Sequence, residues 1–190
     1  MSLRFSAVLL AGGKSRRMGH DKAFITVGGV PLWQRQIALL QELGSKEILI
    51  SGPEHAAWRE TEFAIIADAE RGAGPLAGVV AALRVCELPM LLALAVDLPL
   101  MTSHYLRRLL TQCADGIGAV PIANERFEPL AAVYPAGALP IAEDCLASGQ
   151  RSLQHFARRC VAAGLVVARP VVPAERILFS NMNTPADIPA

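Results

Sequence analysis

The apolar run at residues 5–10 leads almost directly into Gly12 and Gly13, and this sequence restricts the fold more than any other feature. A short, continuously apolar run is typical of a strand buried on both faces of a parallel sheet. The glycines permit backbone angles and close approaches that a Cβ would prevent, and N–H groups in such a loop can point at an anion. Because basic side chains follow within residues 14–22, we expect a strand followed by a cationic, polyphosphate-binding loop.

Segments typical of strands alternate with segments typical of helices along the rest of the chain. Strands are predicted at residues 5–10, 47–51, 63–67, 91–96, 118–121, 130–134 and 165–168, and helices at 31–43, 75–85, 103–110, 139–147 and 152–159. This alternation indicates a parallel sheet with crossover helices. We therefore predict that residues 1–190 form one doubly wound, Rossmann-like α/β domain with a mostly parallel sheet and helices on both faces. Its ligand is expected at the carboxyl ends of the strands.

Composition narrows the function classes. The net charge of +1 and pI near 7.7 give no reason to expect binding to nucleic acid or to an anionic membrane surface. No apolar run reaches the ~20 residues that span a bilayer, and no signal peptide is recognisable, so a cytoplasmic protein is predicted. The four cysteines lack metal-ligand spacing, which favours buried free thiols. They are Cys86, Cys113, Cys145 and Cys160.

The glycine-rich loop does not match two common phosphate-binding motifs. A Walker A loop has a lysine directly after its second glycine, whereas His20 follows Gly19 here. The spacing of glycines after Gly12 also differs from the dinucleotide fingerprint, which excludes a dinucleotide-binding oxidoreductase. Lys22 and Arg16 remain as candidates to neutralise charge at an α-phosphate. Lys14 and Arg17 are equally well explained as solvated charges.

Asp97 ends the most apolar predicted strand, where a carboxylate is costly to desolvate unless a cation faces it. Mg²⁺ prefers oxygen ligands and is typically held by one or two carboxylates together with phosphate oxygens. An alternative is that Asp97 caps the next helix or begins a turn with Pro99. Taken with the phosphate loop, the pattern favours Asp97 as a Mg²⁺ ligand.

A second glycine-rich segment, residues 72–78, lies between a predicted strand and a helix that Pro75 begins. Its backbone can pass close to a nucleotide, although a Gly-Pro pair is also an ordinary turn signal. Asp68 lies just before it, in the position of a ligand contact or of a surface turn. Ser51 ends another strand and is uninformative by itself.

The loop has the pattern L-A-G-G-x-S-x-R-M-G-x-D-K from Leu10 to Lys22 and resembles the signature loop of nucleotidyltransferases, most closely the molybdenum-cofactor guanylyltransferases. The resemblance implies nucleotide contacts from the start of the loop, from Lys22 and from Asp68, with Asp97 binding Mg²⁺. It also implies an acceptor side near residues 128–131 and Asn183. The full set of implied nucleotide-binding residues is Leu10, Ala11, Gly12, Gly13, Lys22, Ser51, Asp68, Gly78 and Asp97, of which Lys22 and Asp97 join Arg16 in catalysis.

The same resemblance implies GMP transfer from GTP to molybdopterin, with release of pyrophosphate and transient contact with molybdoenzymes or their chaperones. Related guanylyltransferases often carry asparagine where this chain has Ser51, which puts base recognition at that position in question. Relatives that use CTP tend to have L-A-A-G, so Gly12 favours guanine. Transfer from CTP, transfer to a sugar phosphate, and a nucleotide-binding regulatory module are the alternatives.

Overall fold

The computed structural model describes residues 3–12, 22–53, 55–70 and 72–182. The strands in these ranges are β1 (Ser6–Leu10), β2 (Thr26–Val27), β3 (Val30–Pro31), β4 (Glu47–Ser51), β5 (Ala64–Ile66), β6 (Met90–Ala95), β7 (Gly118–Ala123), β8 (Arg126–Phe127), β9 (Ala131–Pro135) and β10 (Val166–Pro170). The helices are α1 (Leu32–Glu42), α2 (Ala56–Arg59), α3 (Pro75–Val85), α4 (Ser103–Thr111), α5 (Leu139–Ala147) and α6 (Leu153–Ala162), with 3₁₀ turns at Lys22–Phe24, Ala136–Ala138 and Pro173–Phe179.

Eight of the strands form one sheet with the order β10-β7-β9-β6-β1-β4-β5, and β8 pairs with β7 beside this path. Strands β6, β1, β4 and β5 are mutually parallel. Strand β9 runs antiparallel to both of its neighbours, β6 and β7. The predicted fold class, a mostly parallel sheet in an α/β arrangement, is confirmed, while the reversed direction of β9 is a feature that the sequence pattern did not indicate.

The core lies on both faces of the sheet because its central strands alternate their side chains between them. In β1, Ala7 and Leu9 pack into the cluster covered by α1 and α4, whereas Val8 and Leu10 pack into the cluster covered by α3, α5 and α6. All five residues of β1 are buried. This two-sided burial explains the continuous apolar run and leaves the ends of the strand as the places where polar chemistry can occur.

The element bounds agree closely with the predicted ones. Helix α1 begins after Pro31, which was expected to be its first residue and instead lies in β3. Gly44 follows that helix with φ of +78°, a conformation that glycine adopts without strain. None of the helices in the described ranges is long and apolar enough to cross a membrane.

Candidate functional site

Four parallel strands deliver the polar residues of interest to one edge of the sheet. Strand β6 leads to Asp97, β4 ends at Ser51, and β5 leads to Asp68. Strand β1 lies between β6 and β4 and leads into Ala11 and Gly12. Since neighbouring strands lie about 4.8 Å apart, three strand spacings separate β6 from β5, or about 14 Å. The edge therefore offers an extended surface along which a ligand can meet several of these groups.

Lys22 and Asp97 come together at this edge. The Nζ of Lys22 donates a hydrogen bond to Oδ2 of Asp97 at 3.2 Å, and the side chains are 20% and 24% exposed. The pair joins the 3₁₀ turn after the loop to the turn after β6, across 75 positions in the chain. Two charged groups that the sequence suggested for one phosphate site thus lie in direct contact and remain accessible to solvent.

The backbone around Asp97 is fixed from two directions. The carbonyl of Asp97 accepts a hydrogen bond from the amide of Met182 at 3.0 Å. The next carbonyl, that of Leu98, accepts from Nε2 of Gln36 at 2.7 Å. Gln36 is only 1% exposed. Neither Gln36 nor Met182 was predicted from the sequence, and the one sign of Gln36 was a polar residue on the apolar side of a predicted helix.

The alternative role of Asp97 as a helix cap does not hold. Helix α4 is capped by Thr102, whose hydroxyl oxygen accepts a hydrogen bond from the amide of Tyr105 at 3.2 Å. The carboxylate of Asp97 is instead turned to Lys22. Within the described ranges no group of three or more histidine, cysteine or acidic side chains could hold a metal ion.

Ser51 connects three segments of the site. Its carbonyl accepts hydrogen bonds from the amides of Ala11 at 2.8 Å and Gly12 at 3.1 Å. Its hydroxyl donates to Oδ1 of Asp68 at 2.8 Å. The amides of Ala11 and Gly12 are thus paired within the protein and are not the N–H groups of the loop that could face an anion. The start of the loop is instead tied to the end of β4.

Gly78 owes its identity to packing. A Cβ at this position would lie 2.5 Å from Oγ of Ser51 and 2.7 Å from Cδ2 of Leu10, which is closer than real carbon contacts allow. Gly78 itself is buried in the first turns of α3. The glycine lets α3 approach the Ser51 hydroxyl closely. Its predicted contact with a nucleotide stays a prediction.

Gly12 is different because a Cβ would fit there without a clash. A Cβ there would make only ordinary contacts, the nearest at 3.5 Å to Cα of Gly52 and at 3.7 Å to Oδ2 of Asp68. The carboxylate of Asp68 therefore lies beside Gly12, at the distance of an ordinary contact with a Cβ. Gly13, Arg16 and Asn183 lie outside the described residues, as do Lys14 and Arg17.

The cysteines offer no competing chemistry. All four are free, with Cys145 and Cys160 buried and Cys86 and Cys113 partly buried. Burial raises the pKa of Cys160 to about 12 and that of Cys113 to about 11. These two thiols therefore stay protonated near neutral pH and are poor nucleophiles. The predicted free thiols are confirmed.

The chain is similar to known proteins over most of its length. The family model described as the MobA-like NTP transferase domain matches residues 7–163. A probable molybdenum cofactor guanylyltransferase from Opitutus terrae is 38% identical over 98% of this chain and 96% of its own length. A molybdenum cofactor guanylyltransferase from Pseudomonas putida is 34% identical, covering 95% of this chain and 93% of its own.

A solved structure gives the same result. The chain is similar to molybdopterin-guanine dinucleotide biosynthesis protein A from Archaeoglobus fulgidus, with a TM-score of 0.73 and 25% sequence identity. The match covers 96% of this chain and 94% of that one. The similarity thus covers nearly the whole chain.

Proposed function

Since the chain belongs to the MobA-like NTP transferase family, we propose that it transfers GMP from GTP to the terminal phosphate of molybdopterin. The products are molybdopterin guanine dinucleotide and pyrophosphate. The contact between Lys22 and Asp97 is the observation that carries this proposal, because it joins a cation for phosphate to a carboxylate for metal at the ligand edge of the sheet. The names of the similar proteins, which are guanylyltransferases, support the substrates.

The reaction requires little covalent chemistry from the protein. An oxygen of the acceptor phosphate attacks the α-phosphorus of GTP, and the bond from that phosphorus to the bridging oxygen of pyrophosphate breaks. The nucleophile is already anionic near neutral pH, so no general base is needed. The rate enhancement then comes from positioning and from neutralising charge on the phosphate oxygens.

Lys22 is suited to hold the α-phosphate and the departing pyrophosphate, since its ammonium group is partly exposed and held at the edge of the sheet. Asp97 would hold a Mg²⁺ ion, which supplies further positive charge to the phosphate oxygens when bound. Arg16 is proposed to assist at the phosphates. The hydrogen bonds to the backbone of residues 97 and 98 keep the Asp97 turn in one position.

The nucleoside is proposed to lie on the other side of β1, over Gly12 and against Asp68. Support comes from the position of the Asp68 carboxylate beside Gly12, where Oδ2 lies 3.7 Å from the place that a Cβ would take. Leu10, Ala11 and Gly13 complete this part of the site in the proposal. The absence of a Cβ at Gly12 lets a purine approach the backbone closely, and the L-A-G-G sequence agrees with guanine as the base.

The acceptor is proposed to bind on the far side of Asp97, near residues 128–131 and Asn183. Strand β9 lies next to β6 in the sheet, and the turn at Glu128 precedes it. This arrangement supports an acceptor and a nucleotide that approach the α-phosphorus from opposite sides. A cytoplasmic location and one catalytic domain over residues 1–190 are parts of the same proposal.

Incubation of the protein with molybdopterin, Mg²⁺ and each nucleoside triphosphate in turn tests the proposal. We expect pyrophosphate release with GTP and a dinucleotide product with the mass of the guanine form. Lys22→Met and Asp97→Asn should each lower turnover by about 100-fold or more, while Lys46→Met and Asp115→Asn, at exposed positions away from the site, should not. Product formed from CTP instead of GTP, or full turnover by either site variant, would contradict the proposal.

A further inference from the structure

We propose that Ser51 is a positioning residue that acts through Asp68 to set the preference for guanine. The inference rests on the proposed function and deepens it. Ser51 stands in the predicted set of nucleotide contacts, yet its side chain is almost fully enclosed, with only 1% of the residue exposed. A ligand cannot reach a hydroxyl in that position. Any influence of Ser51 on a nucleotide must therefore pass through a neighbouring group.

That group is the carboxylate of Asp68. The Ser51 hydroxyl has a single O–H group, and it donates a hydrogen bond to Oδ1 of Asp68 at 2.8 Å. Oδ1 also lies 3.4 Å from the position that a Cβ of Gly78 would take, so it faces the packed side of the site. The second oxygen, Oδ2, lies 3.7 Å from the corresponding Cβ position of Gly12. The hydrogen bond from Ser51 thus turns one oxygen inward and leaves the other toward Gly12.

The main chain of Ser51 fixes the position of Gly12 as well. Its carbonyl accepts hydrogen bonds from the amides of Ala11 and Gly12, which fixes the start of the loop against the end of β4. Ser51 therefore holds Gly12 through its carbonyl and the carboxylate of Asp68 through its hydroxyl, and so sets the distance between them. A base lying over Gly12 meets a carboxylate whose orientation is already decided, which lowers the entropy lost on binding.

An oriented carboxylate distinguishes bases by their donors. A carboxylate only accepts hydrogen bonds. Guanine presents an N1–H and a 2-amino group side by side, and both can donate to Oδ2, the oxygen that Ser51 leaves outward, because a carboxylate oxygen has two lone pairs. Cytosine presents one amino group next to an acceptor nitrogen. Asp68 held by Ser51 thus favours guanine over cytosine, and it also favours guanine over hypoxanthine, which lacks the 2-amino group.

Equilibrium binding of GTP, ITP and CTP, each with Mg²⁺, to the wild type and to Ser51→Ala measures this role by calorimetry. We expect the affinity for GTP to fall roughly ten-fold, with smaller losses for ITP and CTP, so that the preference for GTP narrows. Turnover at saturating GTP should change little while KM rises. The matched control is Ser45→Ala at the other end of β4, since the Ser45 hydroxyl donates only to nearby backbone carbonyls.

A double-mutant cycle with Asp68→Ala shows whether Ser51 acts through Asp68. If it does, Ser51→Ala has no further effect on nucleotide preference once Asp68 is removed. Equal losses for all three nucleotides, or additive effects in the double variant, would overturn the inference. Because these are binding measurements, they are independent of product identity, and a wild type that binds GTP but makes no molybdopterin dinucleotide would refute the proposed function alone.

Discussion

Substitution of Gly78 by alanine gives the sharpest test of how the nucleotide half of the site is packed. The added Cβ would stand 2.5 Å from Oγ of Ser51 and 2.7 Å from Cδ2 of Leu10. Both neighbours are buried and belong to central strands, so neither can withdraw into solvent. The most direct relief is a shift of the Ser51 hydroxyl, which breaks its hydrogen bond to Asp68.

The expected loss of stability follows from two opposing contributions. Overpacking a close-packed site costs about 1–3 kcal/mol, and two contacts below 3.0 Å point to the upper end of that range. Replacing glycine by alanine inside a helix returns about 1 kcal/mol through helix propensity. The net expectation is a loss of about 2 kcal/mol, which for a chain of this size lowers Tm by about 4–8 °C.

Urea and thermal unfolding measure this loss, and calorimetry with Mg-GTP measures the accompanying fall in nucleotide affinity. Gly12→Ala is the matched control, since its Cβ meets nothing closer than 3.5 Å. We expect its stability to stay within about 0.5 kcal/mol of the wild type, while nucleotide affinity falls because the methyl group enters the space beside Asp68. A Gly78→Ala protein as stable as the wild type would refute the packing argument.

Two further predictions concern the turns beside Asp97. Glu128→Gln should raise the stability at neutral pH, because burial raises the pKa of the Glu128 carboxyl and so penalises its charged form. The free energy of unfolding of the wild type increases as the pH falls through this raised pKa, so the stabilities of the two proteins should become equal in acid. A difference in stability that stays constant across the pH range would contradict the argument. Gln36→Glu should lower the stability by about 2–3 kcal/mol in urea unfolding at pH 7, because a buried acceptor would then face the Leu98 carbonyl. An unchanged midpoint would show that this hydrogen bond contributes little.

The sequence predicted those parts of the site that depend on strand direction. Asp97 and Lys22 follow separate apolar runs, and parallel strands deliver the residues that follow them to a common edge, so their contact was foreseeable. The same reasoning placed Ser51 and Asp68 at that edge. The ends of these strands can be read from the sequence because β1 and β6 are buried on both faces and therefore form clear apolar runs.

Other features depend on contacts that no local pattern encodes. Alternation of side chains is the same in parallel and antiparallel strands, so the reversed direction of β9 left no signal in the sequence. The hydrogen bond from Gln36 to Leu98 spans 62 positions and depends on how α1 seats against the sheet. The pairing of the Ala11 and Gly12 amides with Ser51 likewise follows from the register between β1 and β4, which was not predictable from either segment alone.

The reversed direction of β9 divides the edge of the sheet that carries Asp97 into two parts. The sequences of these two parts can change independently of each other. On one side of Asp97 lie the ends of parallel strands, and the loops that follow them continue into crossover connections. On the other side a strand begins, preceded by the four-residue turn closed from Ala131 to Glu128 and by the short hairpin that β8 makes with β7. That hairpin can change in length or in sequence without altering any crossover connection. The proposed acceptor side can therefore vary between related proteins while the proposed phosphate-binding residues, Lys22 and Asp97, stay the same.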